Sequence, residues 1–102
     1  MSERLTALRR LMAERGFDAI LVTSPENHLY MSGFNNPDGT LLITSDAAFA
    51  LQDFRYIEAA KREINSDDFD VEMPTVRIGA WVEEALSAAG CKILAYEDAK
   101  LT

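Results

Sequence analysis

The sequence is poor in the residues from which many sites are built. A single cysteine, Cys91, excludes an intrachain disulfide framework and fits a reducing compartment. A single histidine, His28, leaves little imidazole nitrogen for a metal site. Basic residues are outnumbered, ten against seventeen acidic, for a formal net charge of −7. That balance repels phosphate backbones and anionic lipid, so nucleic-acid and membrane partners are not expected. The longest apolar runs, such as Ala19–Val22 and Ala47–Leu51, fall far short of the roughly 20 residues that a bilayer span needs. The opening residues begin an amphipathic pattern, not a charged start followed by an apolar run, and so suggest no secretory signal. Glycines are also missing where a phosphate would need them. The turn after Val22 reads Thr23-Ser24-Pro25-Glu26-Asn27, which argues against a dinucleotide-binding loop. These absences lead us to expect a cytoplasmic chain of 102 residues forming one domain.

What remains is an ordinary globular composition, 48% hydrophobic and 26% charged, with enough apolar material for one core. Leu5, Leu8, Leu11 and Met12 share a stripe at helical spacing and predict a helix over residues 3–15, with Gly16 as its left-handed cap. Ala19–Val22 reads as a strand buried on both faces. Ser24-Pro25-Glu26 is a helix start, and Ser32-Gly33 ends that helix early. Strands are expected over 40–44 and 47–52, joined by a tight Ser45-Asp46 turn. A helix over 55–63, a strand over 69–73 closed by Pro74, a helix over 78–89 and a strand over 92–96 complete the order. In the 78–89 helix Ile78, Val82, Ala85 and Leu86 form the inward stripe, with Trp81 beside it. This succession predicts an α/β fold with a mixed sheet and helices covering its faces.

No complete catalytic constellation is visible. Cys91 has no nearby base and reads as a buried structural thiol. The acids lie scattered over helix faces and loops, Glu58 and Glu63, Glu83 and Glu84, Asp67 and Asp68, in none of the spacings that gather metal ligands. Two stretches stand above this background. In the first, Asn27 can satisfy backbone groups in a first helical turn, Tyr30 is expected to pack against the sheet, and Gly33-Phe34 makes a sharp exit. His28, between them, is expected to be exposed. In the second, Asp53-Phe54-Arg55-Tyr56, Asp53 can cap the following helix and Arg55 can clamp a carboxylate or carbonyl.

The order Arg4-Leu5-x-x-Leu8-Arg9-x-x-Met12, Asp18-Ala19-Ile20-Leu21-Val22, Asn27-x-x-Tyr30-x-x-Gly33-Phe34 and Asp53-x-Arg55-Tyr56 resembles the N-terminal domain of the creatinase/prolidase family. The resemblance runs over nearly the whole chain. It implies a ribonuclease-H-like three-layer fold, a mixed five-stranded sheet with helices on both faces. It also implies a domain without catalytic residues of its own. Catalysis in that family belongs to a C-terminal pita-bread domain with a pair of divalent metal ions (Mn, Co or Zn), expected outside these residues. The partners it implies are that catalytic domain and a second subunit in a homodimer, with one wall of the substrate site supplied by the N-terminal domain. The loop Asn35-Asn36-Pro37-Asp38 is where it would reach substrate or neighbour, through Asp38 with Asn35 and Asn36. Asn27, Tyr30, Gly33, Phe34, Asp53, Arg55 and Tyr56 are then structural fastenings. The parent activity implied is Xaa-Pro dipeptidase or aminopeptidase; the alternatives are a stand-alone binding or assembly module and a creatinase-like amidinohydrolase.

Overall fold

A computed structural model describes residues 3–35, 39–91 and, for the backbone alone, 94–96. Helix α1 (Glu3–Arg15) turns Leu5, Leu8 and Met12 inward and closes at Gly16, whose φ of +80° is open to glycine at little cost. Strand β1 (Ala19–Val22) leads into α2 (Pro25–Ser32). The side chain of Ser24 caps α2 by accepting the Asn27 N–H, proline occupies the first turn, and Gly33 ends the helix with φ +76°. Strands β2 (Thr40–Thr44) and β3 (Ala48–Leu51) form the expected hairpin. Thr44 shapes its turn, its hydroxyl accepting the N–H groups of Asp46 and Ala47. Helix α3 (Ile57–Glu63), strand β4 (Asp70–Glu72), helix α4 (Ile78–Ala89) and strand β5 (Leu94–Tyr96) follow.

The strand order is β4-β3-β2-β1-β5. β1, β2 and β3 form an antiparallel meander, while β4 lies parallel to β3 and β5 parallel to β1. The sheet is therefore mixed, as expected. Alternation along the strands sorts the core into two layers. Ile20, Val22, Leu41, Ile43, Ala48 and Ala50 face α1, α2 and α3, where Leu5, Leu8, Met12, Met31, Ala60 and Ile64 meet them. Ala19, Leu42 and Leu51 face the other way, toward Val82 of α4. On that second side Trp81 meets Phe49 edge-on, ring centroids 5.1 Å apart.

The α4 stripe is thinner than its spacing predicts. Ile78 is 41% exposed instead of inward, and α4 packs on the sheet through Trp81, Val82, Ala85 and Leu86. No helix among the described residues is long and apolar enough to cross a membrane.

Candidate functional site

Register places the two singled-out stretches at one end of the sheet. Val22 pairs with Leu41, and Thr40 pairs with Leu51. The start of α2, the approach to β2 through Asn35 and Gly39, and the Gln52–Tyr56 corner after β3 therefore share one edge. β5 ends at the same edge, since Tyr96 pairs in parallel with Leu21. Of the expected contact loop, Asn35 is exposed; Asn36, Pro37 and Asp38 lie outside the described residues.

His28 joins the two stretches, and its placement reverses the expectation of exposure. The residue is fully buried, at 0%. α2 is anchored at both ends, and its inward face carries Asn27, His28 and Met31 toward the sheet. Nδ1 lies 2.9 Å from the Phe34 carbonyl, an oxygen that can only accept, so Nδ1 carries the proton. Nε2 is then the acceptor, and Gln52 Nε2 donates to it from the end of β3 at 3.4 Å. Ser32 completes the corner: its hydroxyl donates to the His28 carbonyl (2.7 Å) and accepts the Phe34 N–H (3.1 Å). Among the described residues every buried side-chain nitrogen and oxygen has a partner. No periodicity announces Gln52. The one signal for it is a polar residue ending an apolar strand just before Asp53.

Tyr30 also departs from expectation. It is 38% exposed and turned away from the sheet, because the inward face of α2 belongs to Asn27, His28 and Met31. Arg4 of α1 lies over its ring, 4.4 Å from the centroid, and donates to its carbonyl at 2.6 Å. Phe34 follows Gly33 into the main core, so that pair does serve as a sharp exit.

Asp53 does not cap α3 with its side chain. Tyr56 occupies the cap position, and the Asp53 backbone carbonyl accepts the Tyr56 and Ile57 N–H groups. The Asp53 carboxylate instead closes a turn: Oδ1 accepts the Arg55 N–H at 3.0 Å, and Oδ2 takes the Arg55 guanidinium at 2.7 Å. Arg55 thus clamps a carboxylate two residues behind it and lies 5.4 Å from the Tyr56 ring. The guanidinium holds the Asp53 carboxyl below its ordinary range. Phe54, between them, is 79% exposed.

Cys91 is half-buried, with its thiol against the Asp18 carbonyl at 3.9 Å. Burial, reinforced by Asp18 and Asp46, pushes its pKa up and keeps it a thiol at neutral pH. At the opposite end of the sheet Asp46, Asp67, Asp68 and Asp70 border a cavity of about 160 Å³ beside Arg9. Those acids do not converge. Among the described residues no group of three or more His, Cys, Asp or Glu side chains could hold a metal ion. With both His28 nitrogens engaged, these residues do not fit a metal pair.

Burial pushes the His28 imidazole below its ordinary value of 6.5, against a smaller upward pull from its carbonyl contacts. The sign for stability follows. As pH falls through about 6.5 the unfolded chain takes up the proton first, so stability is full above that point and declines toward the lower folded-state value. Asp53 acts in the same direction only below the ordinary carboxylate range. We expect the urea midpoint to hold between pH 7 and 8 and to fall as pH drops below about 6.5. His28→Gln should lack that component; parallel pH profiles for the two proteins would refute it.

The arrangement defines an α/β domain with two corners joined through a buried imidazole at one sheet edge. The sequence profile of the Creatinase/Prolidase N-terminal domain matches residues 4–102, and the chain belongs to this family. It is 31% identical over 99 residues to the uncharacterized peptidase YqhT of Bacillus subtilis, covering 97% of this chain but 28% of that protein. The fold superposes on an Xaa-Pro dipeptidase from Bacillus anthracis with a TM-score of 0.86 at 29% identity, over 98% of this chain and 28% of the other. An Xaa-Pro aminopeptidase structure from Streptococcus pyogenes gives 0.85 at 34% identity, over 96% and 74%. The chain thus spans under a third of the length of the curated relatives it matches.

Proposed function

We propose that this domain is the non-catalytic N-terminal part of an Xaa-Pro-specific metallopeptidase, where it supplies subunit contacts and one wall of the substrate site. The observation that carries this reading is the shared sheet edge. The approach to the 35–38 loop, the Asp53–Tyr56 corner and the end of β5 all lie there, so β5 ends on the side where the loop begins. The family match supports the reading, and the names of the relatives suggest the substrate class. We also read the meander β1–β3, flanked by parallel strands, as the ribonuclease-H-like arrangement. The divalent metal pair, Mn, Co or Zn, belongs in this reading to another domain, as does hydrolysis itself. A cytoplasmic homodimer is the assembly it proposes.

The test is Asp38→Ala in a chain carrying the remaining length typical of the relatives. An aspartate that meets a substrate ammonium or a neighbouring subunit contributes one charge-assisted hydrogen bond, worth about 1.5–3 kcal/mol. Its loss should raise KM for an Xaa-Pro peptide by about tenfold or more, or weaken the dimer by the same factor. Steady-state kinetics and sedimentation read the two outcomes, and no change in either would refute the contact. The 102 residues alone should not cleave such a peptide with Mn²⁺, Co²⁺ or Zn²⁺ added. Chelator-sensitive turnover would contradict the non-catalytic assignment.

A further inference from the structure

The geometry points to His28 as a proton-operated joint between the two corners of this edge, closed while the imidazole is neutral and opened at Nε2 when it is protonated. The two ring nitrogens hold different parts of the fold. Nδ1–H is tied to the Phe34 carbonyl, six residues ahead, and so belongs to the α2 corner. Nε2 accepts from Gln52, which follows β3 and hands the chain to Asp53. A proton added to Nε2 leaves the Phe34 bond intact, because Nδ1 keeps its hydrogen. It turns the other contact into donor against donor, so the bond between Nε2 and the Gln52 amide nitrogen is lost.

Among the described residues, no ionised group is placed against the ring to compensate the new charge. The groups against the ring are neutral: the Phe34 carbonyl and phenyl, the Ser32 hydroxyl and the Gln52 amide. On α2, Glu26 and Tyr30 are exposed. After β3, Asp53 is already held by Arg55, and on β4 Glu72 is exposed while its carbonyl takes the Gln52 N–H. From α1, Arg4 is engaged with Tyr30, and on α3 Glu58 and Lys61 are exposed. Among the described residues the buried imidazolium would therefore have no counter-charge, and the cheapest relief is movement at the weaker of its two links, the 3.4 Å contact.

Solution NMR tests this on the unaltered chain, with His28→Leu and Gln52→Glu as companions. At pH 7.5 the ring ¹⁵N shifts should report a proton on Nδ1. Lowering the pH should protonate His28 with a midpoint below 6.5 while the backbone amides stay dispersed. The Gln52 side-chain amide resonances should move with that same midpoint, and in His28→Leu that movement should vanish. Gln52→Glu places an acceptor and a charge against Nε2 and should raise the midpoint by at least one pH unit, a tenfold gain in proton affinity. A proton on Nε2 at neutral pH would overturn the proposal. So would a midpoint at or above 6.5, unmoved Gln52 resonances, an unshifted midpoint in Gln52→Glu, or global unfolding before the ring titrates.

Discussion

His28→Ala is expected to lower the unfolding free energy of this domain by about 2–4 kcal/mol. Two costs combine. Removing a fully buried ring leaves a cavity between α2 and the end of β3 that the capped helix cannot readily collapse. The substitution also orphans the Phe34 carbonyl and takes the Nε2 acceptor from Gln52, and an unsatisfied buried group costs about 1–3 kcal/mol. For a domain of this size the melting temperature should fall by roughly 10–25 °C. His28→Gln keeps a donor and part of the volume and should recover some of the loss. Urea unfolding monitored at Trp81 measures all three proteins; a loss under about 1 kcal/mol for His28→Ala would show that the corner stands without the imidazole.

The two sides of the sheet should respond unequally to the same cut. Leu41 and Leu42 are adjacent on β2 and both fully buried, yet they face opposite layers. Leu41→Ala opens a cavity under α1, α2 and α3, where buried neighbours from three helices and three strands hold the walls in place. We expect a cost of about 3–5 kcal/mol. Leu42→Ala opens its cavity under α4 alone, beside the half-buried Leu21, Phe49 and Trp81. Those side chains and the helix can move inward, so the cost should be smaller by roughly 1 kcal/mol. Denaturant titration of the two variants decides it, and equal or reversed losses would mean that α4 is held as rigidly as the other three helices.

Much of the fold is legible in local patterns because local chemistry decides it. The Leu5, Leu8, Met12 stripe could bury its apolar face only as a helix on a sheet. Ser24-Pro25 offers a cap and a fixed φ where α2 starts, and Gly16, Gly33 and Gly90 stand where left-handed backbone ends three helices. The hairpin turn at Ser45-Asp46 lies where the apolar runs break. The family resemblance is legible for the same reason, since its motifs are these turns and strand starts.

The candidate edge is less legible. Asp53 and Arg55 read as a helix cap and a clamp, but the Asp53 carboxylate takes the Arg55 N–H and guanidinium across one turn, a pairing that local spacing does not announce. Tyr30 and His28 are two residues apart on a short helix with apolar and polar side chains on every side, so its period names no inward face. The sequence by itself determined where the chain turns, which segments are helix or strand, and that the sheet carries apolar side chains on both faces. Only the tertiary structure decided that α2 rotates His28 inward and Tyr30 outward, and that Gln52 waits at the end of β3 to meet the imidazole. The reason is physical: capping and alternation act between neighbours in sequence, whereas the burial of a polar ring depends on a partner 24 positions away.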